Sequence, residues 1–220
     1  MNTIKRLPYG CSNFETIAKE NYCYVDKTKY IEMLEKEPNH FHFFIRPRKF
    51  GKSLFFSTLY NYYDIRKSGD FQTLFGELYI GKYPTPKHND YFVLMFDFSG
   101  LDTTDEDTFR VSFFERVQQN VIAWIDYYFA IIPNAGEKRK EIKNSSSGNS
   151  ALTVACDIVQ AMGRKIFVII DEYDHFANDL IAMGVDDVYK KYIRANGLVR
   201  DFYERLKDRT KTVVDRIFIT

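Results

Sequence analysis

The run Ile166-Phe167-Val168-Ile169-Ile170 is apolar at every position and ends on the acidic pair Asp171-Glu172. A strand without a polar face has to be covered on both sides, so this run predicts the interior of a mainly parallel sheet with helices above and below. Residues 41–45 (FHFFI), 91–98 (YFVLMFDF) and 213–220 (VVDRIFIT) read as further strands, the second closing on a Ser99-Gly100 turn. Between them apolar side chains recur at helical spacing. Phe55, Leu59, Tyr62 and Tyr63 follow Ser53, and Phe109, Phe113, Val117, Val121 and Trp124 follow a capping box of Thr103 and Glu106. Leu152, Cys156 and Val159 form another stripe closed by Gly163, and IAMGVDDVYKKYI and LVRDFYERLKD continue the pattern. Strands alternating with helices give an α/β fold class.

A chain of 220 residues suits one domain with a sizeable core, spanning 1–220 with an N-terminal segment at 1–40. The formal net charge of +1 gives no support to a polyanionic partner or an anionic membrane surface. Cys11, Cys23 and Cys156 are far apart and form no C-x-x-C pair, which predicts free, mostly buried thiols and a reducing compartment. The start MNTIKRLPYG has no apolar core, and no stretch is long enough to cross a bilayer; a soluble cytoplasmic protein is expected. Residues 133–150, rich in Pro, Gly, Ser and charge, read as a flexible, solvated excursion.

The chemistry is concentrated in RPRKFGKSL, residues 46–54. A phosphate-binding loop reads G-x-x-x-x-G-K-[ST]: its glycines let backbone N–H groups close around phosphates, its lysine reaches the outer phosphates and its hydroxyl ligates magnesium. Here Gly51-Lys52-Ser53 fit, but Arg46 stands where the first glycine belongs and Pro47 removes a donor. Taken alone, Gly-Lys-Ser is also an ordinary turn entering a helix. An apolar strand before it, a helix after it and a distant strand ending in Asp171-Glu172 favour the nucleotide reading. On that reading Arg46, Pro47, Arg48, Lys49, Phe50, Gly51, Lys52, Ser53 and Leu54 bind nucleotide, and Ser53 and Asp171 hold Mg²⁺. Glu172 then polarises the attacking water, and the two segments enclose one triphosphate–magnesium site. The bases Arg46, Arg48 and Lys49 reinforce phosphate binding or face an acidic partner or nucleic acid. Asp174 reads equally as a helix cap or a magnesium-site contact, while His40, His42 and His175 lack the grouping of a metal site.

The combination YCYVDKT at 22–28, RPRKFGKSL at 46–54, FDFSG at 96–100, IIDEYD at 169–174 and the closing RIFIT resembles the AAA-ATPase-like domain of bacterial and archaeal ATP-binding proteins. That family commonly carries arginine at the first loop position, so the resemblance makes Arg46 a family variant, with Lys49 replacing an arginine. It implies a three-layer α/β/α P-loop NTPase fold with a catalytic glutamate beside the magnesium aspartate, and ATP and Mg²⁺ as cofactors. It implies a polar sensor at Thr220 or its successor, followed by one more strand and a helical lid that this chain stops short of. The exposed edge of the 41–45 strand is then expected to be covered by a homodimer or by an N-terminal segment. Members are often fused to a restriction-endonuclease-like nuclease domain. The leading expectation is ATP hydrolysis coupled to a conformational change. A nucleotide-dependent switch without turnover, and a nucleic-acid-binding component of a nuclease system, are the alternatives.

Overall fold

The structure, a computed structural model, describes residues 5–47, 49–145, 147–172 and 197–220. Strands β1 (Phe41–Phe43), β2 (Tyr91–Asp97), β3 (Lys165–Asp171) and β4 (Val214–Ile219) form one parallel sheet in the order β1-β4-β3-β2. The fold is α/β, with helices flanking the sheet as in three-layer P-loop NTPases. The all-apolar run is interior as expected: β3 lies between β4 and β2, and Ile166 through Ile170 are buried.

The described residues divide into two compact units, one built from the chain up to Asn39 with Phe44–Val93, the other from His40–Phe43 with Leu94–Thr220. In the first, α1 (Phe14–Lys19), α2 (Lys29–Lys36), α3 (Lys52–Tyr63), α4 (Phe71–Phe75) and α5 (Tyr79–Lys82) surround an aromatic core. Helix α3 buries Phe55, Leu59, Tyr62 and Tyr63, the stripe read from its spacing, and Phe56 beside them. Phe14 of α1 stacks on Phe75 of α4 with ring centroids 4.9 Å apart, and Tyr62 meets Phe75 edge-on at 5.5 Å. Pairs of this kind add about 1 kcal/mol each beyond the area they bury. At Gly81 the backbones of α4 and α5 come so close that an added Cβ would lie 1.8 Å from the Phe75 carbonyl oxygen. Only glycine permits that approach.

The second unit carries the sheet with α6 (Glu106–Tyr127), α7 (Ala135–Lys143), α8 (Gly148–Ala161) and α9 (Leu198–Arg209). Phe96 and Phe98 of β2 and its exit meet Phe113 of α6 and Phe202 of α9, with Phe98 stacked on Phe113 at 5.0 Å and Phe202 edge-on to Phe96 at 5.1 Å. Helix α8 packs against both β3 and α6.

Four local expectations change. The predicted buried strand 41–45 is a three-residue edge strand; Phe43 is 59% exposed and Ile45 79%, because β1 bonds to the sheet on the β4 side as its outermost strand. Helix α6 is capped not by Thr103 but by Asp105, whose carboxylate accepts the Thr108 N–H at 2.9 Å; Asp102 instead takes the Thr104 N–H and hydroxyl. The 133–150 stretch, read as an excursion without regular structure, contains the helix α7, whose Ala135 and Ile142 are buried while its charged residues face outward. Of the three free cysteines only Cys156 is buried, and burial pushes its thiol up to about 12.

Candidate functional site

In the first unit the chain leaves β1 and runs through Phe44–Phe50 into α3. The Phe50 N–H donates to the Pro47 carbonyl at 3.4 Å, closing a turn, and two residues then take left-handed conformations: Lys49 at φ 67° and Gly51 at φ 79°. Arg46 does not; it is outside the left-handed region, and its guanidinium lies 5.7 Å over the Phe44 ring. The standard first glycine is therefore not required by the backbone of this loop.

Gly51 is the N-cap of α3, offers no capping side chain, and no acid occupies the first turn. The Gly51 carbonyl accepts the Phe55 N–H, while the N–H groups of Lys52, Ser53 and Leu54 find no acceptor among the described residues. Unsatisfied donors at the positive end of a helix dipole favour an anion. Lys52 has no ion pair or hydrogen bond with any described residue, and Ser53 is exposed, so both are available to a ligand. Among the described residues a Cβ at Gly51 would meet nothing within 4 Å, so the loop is open on that side.

In the second unit the carboxyl ends of the strands collect polar groups. β1, β4 and β3 are in register, Phe43 opposite Ile219 and Ile219 opposite Ile170. One position further on, β3 ends in Asp171 and then Glu172, whose N–H donates to the Asp171 carboxylate at 3.0 Å and whose backbone is left-handed at φ 54°. Glu172 is exposed. Beside them Thr220 donates its N–H to the Ile170 carbonyl at 3.0 Å; it is 4% exposed and its hydroxyl has no partner among the described residues. A buried hydroxyl without a partner costs about 1–3 kcal/mol, which a bound polar group would recover. On the other side of β3, the Asp171 carbonyl accepts the Phe98 N–H at 3.3 Å, and Asp97 caps the following turn through the Ser99 N–H.

The structure thus brings Asp171, Glu172 and Thr220 together in one unit and arranges Arg46, Pro47, Lys49, Phe50, Gly51, Lys52, Ser53 and Leu54 as one loop and helix start in the other. Arg48, Asp174 and His175 lie outside the described residues. His40 and His42 are engaged with β4: His40 donates to the Asp215 carbonyl at 2.6 Å and His42 accepts from Arg216 at 2.9 Å. Asp97 was not singled out from the sequence, although its place in FDFSG, at the end of the strand next to β3, was the signal available. No helix among the described residues is long and apolar enough to cross a membrane.

Residues 8–220 match the family described as Predicted AAA-ATPase. A protein of Azotobacter chroococcum mcd 1, named only as an uncharacterized protein in the vnfD 5'region, is 27% identical over 186 residues, covering 77% of this chain and 29% of that protein. The chain thus spans under a third of that relative's length. No solved structure matches.

Proposed function

Because the chain belongs to the predicted AAA-ATPase family, which implies ATP binding, we propose that it binds ATP with Mg²⁺ and hydrolyses it to ADP and phosphate, using the energy for a conformational change. The observation that supports this most is the register of the sheet. Phe43, Ile219 and Ile170 lie in one row, so the chain leaves β1 at the same end of the sheet where Asp171, Glu172 and Thr220 emerge. β1 and β3 are separated only by β4, so their axes are about 10 Å apart. Ligands of open α/β sheets bind at the carboxyl ends of strands.

Each side chain has a defined part. The N–H groups of Lys52, Ser53 and Leu54 and the Lys52 ammonium hold the outer phosphates, and Arg46 and Lys49 add positive potential. The Ser53 hydroxyl and the Asp171 carboxylate are hard oxygen donors of the type Mg²⁺ selects. When bound, Mg²⁺ would offset the charge of the phosphate oxygens. Glu172 accepts a proton from the water that attacks the γ-phosphorus, and the Thr220 hydroxyl donates to a phosphate oxygen or to that water.

Calorimetry with MgATP and a phosphate-release assay test this. The unaltered protein should bind and release phosphate, Lys52→Ala should lose binding, and Glu172→Gln should retain binding while turnover falls by about a hundredfold or more. Unchanged turnover in Glu172→Gln removes that residue from the mechanism. Binding without any release by the unaltered protein would leave a nucleotide-dependent switch.

A further inference from the structure

The motif YCYVDKT at 22–28 has no part in the chemistry above, yet its Tyr24 reaches the helix that follows the phosphate loop. Thr58 of α3 is fully buried, and its hydroxyl donates to the Leu54 carbonyl at 2.9 Å. A threonine hydroxyl has one proton, so in the 3.3 Å contact between Tyr24 and Thr58 it is the Tyr24 hydroxyl that donates. A relay results: Tyr24 O–H to Thr58 O–H to the carbonyl of Leu54, which lies in the first turn beside Lys52 and Ser53. Burial raises the Tyr24 phenol to about 12, so it stays protonated and keeps donating at working pH.

One residue back on α3, Ser57 Oγ accepts the Phe14 N–H at 2.8 Å, and the Phe14 ring sits edge-on to Tyr24 at 5.2 Å. The other end of the motif is anchored as firmly. Asp26 accepts the Thr28 N–H at 2.8 Å and hydroxyl at 2.6 Å on one oxygen, and the Tyr79 N–H at 2.8 Å on the other. The fully buried Thr28 accepts the Ile80 N–H at 3.1 Å. The first two N–H groups of α5 are thereby tied to the same short segment that reaches α3.

A helix whose N-cap is a glycine with no side chain to bond has little at its own start to fix the first turn. We propose that Tyr24–Thr28 is a strap that positions the phosphate helix, with Tyr24 as the positioning residue acting through Thr58 and with Asp26 and Thr28 anchoring the strap to α5. The proposal rests on the ATP-site reading for its functional consequence, but the strap itself can be tested without nucleotide.

The test uses Tyr24→Phe, which keeps the ring contact with Phe14, Thr58→Val, and the double variant. In the nucleotide-free full chain, amide hydrogen exchange of residues 54–58 should speed up about fivefold in Tyr24→Phe, the effect of one hydrogen bond, and by more in Thr58→Val, which removes both bonds of the relay, with α6 unchanged. The double variant should be no faster than Thr58→Val alone, because that variant already removes the whole relay. Unaltered exchange at 54–58, or additive effects, overturns the strap. MgATP affinity should weaken about fivefold in Tyr24→Phe. Faster exchange with undiminished affinity would reduce the strap to a packing role and overturn the positioning claim. Absence of ATP binding by the unaltered protein would instead overturn the site reading, with the exchange result still deciding the strap.

Discussion

If Arg46 were a damaged glycine, replacing it with glycine should repair the loop; the structure predicts the opposite. Arg46 is not left-handed, so it carries no strain that glycine could relieve. Its guanidinium stacks on Phe44 at 5.7 Å, a contact worth about 0.5–1 kcal/mol at an exposed site. Glycine would also widen the unfolded ensemble, costing about another 0.4–1 kcal/mol. Arg46→Gly should therefore destabilise the protein by about 1–2 kcal/mol. Urea denaturation followed by circular dichroism reads this as a lower midpoint at unchanged slope. Nucleotide affinity should fall as well, since the loop loses a positive charge and gains no donor it lacked. A variant as stable as the parent, with tighter ATP binding, would refute the reasoning and mark the arginine as a defect.

Two further expectations follow from the first unit. Gly81→Ala would place a methyl group 1.8 Å from the Phe75 carbonyl oxygen, so α4 and α5 must part; a loss of about 2–3 kcal/mol in thermal or urea denaturation is expected, and an unperturbed midpoint would contradict the close approach. Asp26 supplies a pH dependence. Partial burial pulls its carboxyl upward, but the hydrogen bonds from the Thr28 hydroxyl and the Tyr79 and Thr28 N–H groups outweigh it and hold the group below its ordinary 3.8. A depressed carboxyl contributes fully above its unfolded value and loses that contribution as pH falls through the lower folded value, so Asp26→Asn should flatten the acid limb of the stability profile below about pH 4.

The elements readable from the sequence were those with enough length to show a period. The buried stripes of α3, α6 and α8 and the all-apolar β3 were where the spacing put them, because elements of seven or more residues packed on one core leave an unambiguous pattern. Helices α4 and α5, of five and four residues, could not show one. What fixes α5 is tertiary: Asp26 and Thr28, about fifty positions earlier, take its first N–H groups. The start of α1 was legible in principle, since Asn13 caps it through the Thr16 N–H. The cap of α6 was misplaced because DTTDEDT offers several acceptors in a row, and only the geometry of the entering chain selects Asp105 over Thr103. At the candidate site the residue types were legible and their conformations were not. Nothing about a lysine at 49 or a glutamate at 172 announces a left-handed backbone.

Those two conformations carry information of their own. Among the described residues, the non-glycine positions with positive φ are Asn21, Lys49, Asn89, Asn134 and Glu172. Asparagine tolerates that region because its short side chain bonds locally, so three of the five need no special account. Lys49 and Glu172 have no such excuse, and each stores about 1–2 kcal/mol of strain. They also stand next to Asp171 and two positions before Gly51-Lys52-Ser53, the two segments whose residue types suit nucleotide chemistry. Strain of this kind persists where the surroundings impose a geometry that function uses. At Glu172 the left-handed turn lets the N–H reach the Asp171 carboxylate, tying the orientation of one acid to the other. Glu172→Gly should then raise stability by up to about 1 kcal/mol while abolishing phosphate release, and Lys49→Gly should raise it similarly with nucleotide binding only weakened. If Glu172→Gly is destabilising, the left-handed turn is not strained, and the link between backbone cost and catalytic placement at this position is lost.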